Sequence, residues 1–144
     1  MQSRWEDATL LLKQTLQLKP NYPKAHNNLG VALKGKGDLT AAIAAYKQAI
    51  QLKPNFPEAH YNLGNALIEQ DEINAAIDSY NKALALKPNY PEAHNNLGNA
   101  LIEQDEINAA IDSYNKALAL KPDYPDAHNN LGFALKENGD LNAA

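Results

Sequence analysis

Residues 57–90 read "PEAHYNLGNALIEQDEINAAIDSYNKALALKPNY", and residues 91–124 read "PEAHNNLGNALIEQDEINAAIDSYNKALALKPDY". The two stretches differ only at Tyr61/Asn95 and Asn89/Asp123. Residues 23–56 follow the same template more loosely, which sets a period of 34 residues. Residues 125–144 supply the first part of a further copy, and residues 1–22 the last part of an earlier one. A fixed period of this size marks a stacked repeat architecture, because one such unit cannot bury its apolar faces alone.

Each unit reads as two helices. Pro57 suits a first helical turn, where its missing N–H is no loss, and Glu58 follows where negative charge meets the helix dipole. Ala59, Leu63, Ala66 and Leu67 recur on one amphipathic face. A break falls near Gln70-Asp71-Glu72. Ala75, Ala76, Ile77, Tyr80, Ala83, Leu84 and Leu86 then carry a second apolar face, which Lys87-Pro88 ends. No strand-like alternation occurs, so the predicted class is all-α. Gly30, Gly64, Gly98 and Gly132 fall inside the first helices, where glycine costs about 1 kcal/mol relative to alanine. Close approach of two helix backbones is the expected reason.

The chain resembles the tetratricopeptide repeat family over its whole length. In the copy at 57–90 the residues that carry the likeness are Leu63, Gly64, Leu67, Ala76, Tyr80, Ala83 and Pro88. The copy at 91–124 has Leu97, Gly98, Leu101, Ala110, Tyr114, Ala117 and Pro122, and that at 23–56 has Leu29, Gly30, Leu33, Ala42, Tyr46, Ala49 and Pro54. The resemblance implies a right-handed superhelical solenoid of helix–turn–helix units, with 1–22 as a second helix and 125–144 as a first helix. Two departures stand out. At the turn between helices Gly37 and Gly139 are replaced in the inner copies by Asp71 and Asp105, which tolerate a left-handed conformation less well. The first and last copies are also partial, so Leu10, Leu11, Leu12 and Leu16 are expected to be exposed.

Composition narrows the partner class. The net charge is −4 and the pI near 5.5, which disfavours a phosphate backbone as partner. The absence of cysteine excludes thiol chemistry, and no secretory or membrane-spanning segment is read. A soluble, cytoplasmic protein without a membrane or nucleic-acid partner is expected.

The motif "HNNLG" at 26–30, 94–98 and 128–132, with "HYNLG" at 60–64, poses the functional question. His26, His60, His94 and His128 sit in register on helices roughly 9–10 Å apart, whereas metal ligands lie about 2 Å from their ion. Packing, not metal binding or catalysis, is the expected role. The amides are different. Asn28, Asn62, Asn96 and Asn130 form one column, Asn65 and Asn99 lie nearby, and Asn27, Tyr61, Asn95 and Asn129 flank them. Asparagine inside a helix costs about 0.5–0.7 kcal/mol, so its repetition suggests a compensating contact. The column is similar to the asparagine ladder in the repeats of O-linked N-acetylglucosamine transferases. That likeness implies that the first helices line a concave face and hold the backbone of an extended peptide, and it permits a substrate-recognition role within a larger glycosyltransferase. Duplication of one amide bonded to a neighbouring helix would produce the same pattern.

Some members of the family clamp a chaperone's C-terminal carboxylate with basic residues. Here Asn65 and Asn96 match the amides of that clamp, but Tyr61, Asp126 and Asn130 stand where its cations belong. Glu58, Glu92 and Asp126 line one edge, favouring a neutral or basic peptide. With no catalytic motif and no cofactor site, the expectation is a non-catalytic scaffold whose peptide-binding residues are Asn28, Asn62, Asn65, Asn96, Asn99, Asn130, Tyr61, Asn95, Glu58 and Glu92. The alternative is head-to-tail self-association through the incomplete terminal repeats.

Overall fold

The computed structural model describes residues 2–143, with side chains over 4–139; Met1 and Ala144 lie outside the described residues. Among the described residues eight helices follow one another: α1 (Gln2–Leu18), α2 (Pro23–Gly35), α3 (Leu39–Leu52), α4 (Pro57–Glu69), α5 (Ile73–Leu86), α6 (Pro91–Glu103), α7 (Ile107–Leu120) and α8 (Pro125–Ala143). The even-numbered helices each start at proline, and α2–α3, α4–α5 and α6–α7 are the three complete hairpins. The fold is the all-α solenoid that the period predicts.

Every helix packs on the next in sequence. In addition α2 touches α4, α4 touches α6 and α6 touches α8, whereas among the described residues no second helix meets the following second helix. The first helices are therefore closer together than the second helices, so the stack curves with the first helices on its inner side.

The hairpin is closed by a tyrosine. Tyr46, Tyr80 and Tyr114 are the largest fully buried side chains, and each lies against the glycine of its own first helix. A Cβ on Gly64 would sit 2.6 Å from the Tyr80 ring, with the same overlap at Gly30 with Tyr46 and at Gly98 with Tyr114. The glycines thus make room for a ring rather than for a second backbone. Ala42, Ala76 and Ala110, with Ala49, Ala83 and Ala117, are fully buried and complete the close contact. A related exchange occurs at the start of the array. Trp5, at the register of Leu39, Ile73 and Ile107, packs its indole on Gly35, where the next copies carry Glu69 and Glu103.

The turns obey backbone chemistry. Gly37 has φ 89°, and Asp71 and Asp105 hold the same left-handed position at φ 62° and 61°. After α4, the Asp71 N–H donates to the Ile68 carbonyl at 3.0 Å and the Glu72 N–H to the Leu67 carbonyl at 2.9 Å, the double bond pattern of a Schellman helix end. In the first copy the following residue, Asp38, also caps α3 by accepting from the Ala41 N–H at 3.2 Å. Glu72 and Glu106 occupy that place in the inner copies without a side-chain cap. Gly139 behaves differently from Gly37: α8 runs through it to Ala143.

The outermost helices leave apolar side chains open. Leu10, Leu11 and Leu18 of α1 are exposed, while Leu12 and Leu16 are partly covered by the array. Leu11 is 63% exposed although its counterparts Ala45, Ser79 and Ser113 are buried. On α8, Leu135 is exposed where Leu33 and Leu67 are buried, and nothing lies within 4 Å of where a Gly132 Cβ would be.

Two expectations follow. Replacing Asp71-Glu72 with the Gly-Asp pair of the first copy (Asp71→Gly, Glu72→Asp) removes left-handed strain and installs a cap. The double variant should be roughly 1–2 kcal/mol more stable, raising the melting temperature by several degrees in a circular dichroism melt. The second concerns alkali. Burial, with Glu69 adding to it, pushes the Tyr46 phenol up to about 12, and burial pushes Tyr114 up to about 12. Tyr80 is raised as well, first by burial and then by Tyr61, against an opposing hydrogen bond from Asn96. These folded-state values exceed the ordinary 10.0, so the associated stability is complete below about pH 10 and is lost as pH rises toward about 12. Melting temperatures should be flat to about pH 9 and fall steeply above about pH 10, and Tyr46→Phe/Tyr80→Phe/Tyr114→Phe should flatten that fall.

Candidate functional site

The histidine and the amides of "HNNLG" and its variant point in different directions. Each histidine turns toward the loop before its helix, and its Nε2 donates to a proline carbonyl: His26 to Pro20 at 2.8 Å, His60 to Pro54 at 3.0 Å, His94 to Pro88 at 2.9 Å and His128 to Pro122 at 2.8 Å. This bond ties each first helix to the preceding second helix. Burial lowers the His94 pKa and Lys116 pushes the same way, against the Pro88 hydrogen bond, so the ring is neutral at pH 7. Among the described residues no three His, Asp or Glu side chains gather as a metal site would require.

The amides cross between first helices. Asn62 Nδ2 donates to Asn27 Oδ1 at 3.1 Å, and Asn130 Nδ2 to Asn95 Oδ1 at 3.1 Å. Between them Asn96 Nδ2 donates to the Tyr61 hydroxyl at 3.1 Å and to Asn65 Oδ1 at 2.9 Å, and Asn95 Nδ2 to Asn96 Oδ1 at 3.3 Å. These bonds offset the helix-propensity cost of the column and connect α2, α4, α6 and α8 directly. Asn65 and Asn99 carry a second duty, accepting from the hydroxyls of Tyr80 at 2.6 Å and Tyr114 at 2.7 Å. With Oδ1 held by a phenol, Nδ2 of Asn99, and of Asn65, makes no bond to the described residues. Asn28 is exposed and makes none with its side chain.

Around these amides lies an open groove segment of about 290 Å³, lined by Lys34, Asn65, Ile68, Glu69, Asn96 and Glu103 among others. Lys34 pairs with Glu69 at 3.9 Å, while no cation lies within 4 Å of Glu103 among the described residues. Glu58 and Glu92, at the first turns of α4 and α6, are ion-paired to Lys87 at 3.4 Å and Lys121 at 3.6 Å. Both pairs are well exposed, and such pairs contribute little to stability. Their carboxylates are nonetheless partly neutralised, which the sequence did not reveal because Lys87 and Lys121 stand 29 positions further on.

Sequence reasoning also missed an aromatic column on the edge of the groove. Lys19 lies over Tyr22, Lys53 over Phe56, Lys87 over Tyr90 and Lys121 over Tyr124, at 4.4–5.0 Å from the ring centroids. The lysine three residues before each aromatic, in "KPNYP" and its variants, was the available signal. Tyr61 packs on this column at 4.9 Å from Tyr90, and its ring lies 6.1 Å from Tyr80. Tyr90 is raised by burial first, then by Tyr61, Glu58 and Glu92. Burial raises Tyr124 too, helped by Glu92, Tyr61 and Asp126 and opposed by the Asn95 amide.

Known proteins place this arrangement. A sequence comparison with curated proteins gives no match. Among solved structures, a crystal structure of MamA superposes with a TM-score of 0.88 at 31% identity, covering 94% of this chain and 79% of MamA. The MamA 41-end structure from Desulfovibrio magneticus RS-1 gives 0.87 at 26% identity, covering 96% and 78%. A crystal structure of the APC/C hetero-tetramer Cut9–Hcn1 gives 0.81 at 27% identity, covering 86% of this chain and 25% of that one. The family model described as "TPR repeat" matches residues 2–37, 32–71, 64–105 and 98–139. With the hairpin contacts described above, these matches show that the chain belongs to the tetratricopeptide repeat family.

Proposed function

We propose that the chain is a non-catalytic protein-interaction scaffold that holds an extended or helical segment of a partner in its concave groove. The observation that carries this reading is the fixed orientation of the groove amides. Tyr80 and Tyr114 hold the Oδ1 atoms of Asn65 and Asn99, which leaves their Nδ2 groups as donors toward a peptide carbonyl. Asn62 and Asn130 each use one N–H in the ladder, and their Oδ1 atoms are available to a peptide N–H. Amides already ordered by the protein cost little to immobilise on binding. Asn28 and Tyr61 extend the same surface, with Glu58 and Glu92 at its edge, whereas Asn95, expected on it, is buried and spends its amide on Asn96 and Asn130. Glu103 and Asp126, which have no cation within 4 Å among the described residues, favour neutral or basic side chains toward the α6–α8 half. The four histidines use Nε2 on proline carbonyls, which supports a non-catalytic role.

The test is a peptide-library binding screen on wild type and on Asn62→Ala/Asn96→Ala/Asn130→Ala. The fold should persist, because alanine regains about 0.5 kcal/mol of helix propensity per site against about 1 kcal/mol per lost hydrogen bond. Wild-type hits should weaken about tenfold or more in the variant. Equal binding by both proteins would remove the amides from the recognition mechanism.

The exposed terminal faces favour a second reading, head-to-tail self-association. Leu11 and Leu18 on α1 and Leu135 on α8 sit at positions that are better covered inside the array. The α1 helix of one molecule would stand beside α8 of another, in the place that a second helix takes in the complete repeats. Sedimentation over a concentration series should then show masses that grow with concentration, and Leu11→Glu/Leu135→Glu should hold the protein at one chain. A single-chain mass at every concentration removes this reading.

A further inference from the structure

The first complete repeat lacks two side chains that the second repeat supplies for itself. In the second repeat, the Tyr61 ring stacks on Tyr90, and the Glu58 carboxylate pairs with Lys87, which also lies over the Tyr90 ring at 4.4 Å. One repeat earlier the same registers hold Asn27 instead of tyrosine, Lys24 instead of glutamate, and Phe56 as the aromatic. The result is a cavity of about 470 Å³ lined by Lys24, Asn27, Asn28, Lys53, Phe56 and Glu58, among others; the Glu58 carboxylate there is already paired with Lys87. Its chemistry is incomplete in both respects. Lys53 lies over the Phe56 ring at 5.0 Å, but neither it nor Lys24 has a carboxylate within 4 Å among the described residues. Asn27 is 8% exposed, and its Oδ1 accepts from Asn62, yet its Nδ2 makes no hydrogen bond to the described residues. In the third repeat the equivalent Asn95 faces the hydroxyl-bearing Tyr124, and Phe56 has no hydroxyl to offer.

We infer that this cavity receives an aromatic side chain, tyrosine or phenylalanine, from a partner segment that carries a carboxylate beside it. The ring takes the place that Tyr61 takes against Tyr90, and the carboxylate takes the place of Glu58 against lysine, here Lys53 and Lys24. The Asn27 amide donates to a phenol oxygen or a backbone carbonyl of the guest. The inference deepens the scaffold reading and rests on the concave face being a partner-binding surface. It also gives the groove a direction, with acidic and aromatic guest residues at α2–α4 and neutral or basic ones toward α6–α8.

The test is a nuclear magnetic resonance titration of the isotope-labelled full chain with acetyl-Gly-Glu-Tyr-Glu-Gly-amide. Two control peptides carry alanine for tyrosine or lysine for both glutamates. Saturable shifts are expected at the Asn27 and Asn28 side-chain amides and around Phe56, with affinity falling about tenfold or more for each control. Added salt should weaken the parent peptide, because the ion pair is exposed. Lys24→Glu/Asn27→Tyr, which installs the second repeat's own contacts, should abolish binding while keeping or raising the melting temperature. Phe56→Leu, which keeps the cavity but removes the stacking ring, provides an independent loss. Equal affinity for the alanine control, absence of saturable shifts at these residues, or undiminished binding to both variants would overturn the inference. A library peptide weakened by Asn62→Ala/Asn96→Ala/Asn130→Ala but indifferent to Lys24→Glu/Asn27→Tyr would remove this pocket and leave the groove; the opposite pattern would remove the amide groove and leave the pocket.

Discussion

Each hairpin closes where a tyrosine ring from the second helix lies on a glycine of the first, and the inner surface of the array is organised around that contact. The ring needs the space that a Cβ would fill, so Gly30, Gly64 and Gly98 stand where Tyr46, Tyr80 and Tyr114 cross the first helices. Two of these hydroxyls then reach through the hairpin to the groove side and bind Asn65 and Asn99. A core residue thereby sets the orientation of a surface residue. The cost of burying a hydroxyl is offset by its hydrogen bond, and the amide gains a fixed direction that solvent alone would not impose.

Curvature and the proposed recognition surface have a common origin. First helices contact one another across repeats and second helices do not, which places the amide-bearing face on the inside of the bend. The hydrogen bonds from Asn62 to Asn27, Asn96 to Tyr61 and Asn130 to Asn95 run along that inside face, so the residues read as a ligand surface are also rungs that hold the repeats together. Structural duplication and ligand contact, opposed as explanations in the sequence, are compatible because an amide has more than one donor and acceptor group.

The fold was legible because periodicity is a one-dimensional signal: proline at each first turn, apolar spacing and the KP stops placed the hairpins at once. The strained Asp71 and Asp105 turns were legible from their register with Gly37. The reason for the helical glycines was not, since only the three-dimensional crossing shows that a ring, not a backbone, lies opposite. The pairing of Glu58 with Lys87 and of Glu92 with Lys121 was hidden for the same reason, as it joins side chains at opposite ends of one repeat. The turn expected at Gly139 is not formed there, since α8 continues through it, and glycine alone does not impose a break. The cavity beside Phe56 went unread because it arises from what Asn27 and Lys24 are not, and an absence becomes visible only against the filled site one repeat later.

The near identity of residues 57–90 and 91–124 has a consequence for how any partner is positioned. A track that repeats itself offers equivalent berths, and a ligand gripped by backbone-directed amides alone would slip by one unit at almost no energetic penalty. Among the breaks in translational symmetry are Tyr61 where its neighbours have asparagine, Lys24 where they have a carboxylate, and Val31 where the inner copies have Asn65 and Asn99 and α8 has Phe133. All three lie in the first half of the array. On the proposed scaffold function they would act as an index mark, because a partner set in one frame meets a ring and a charge that no shifted frame reproduces.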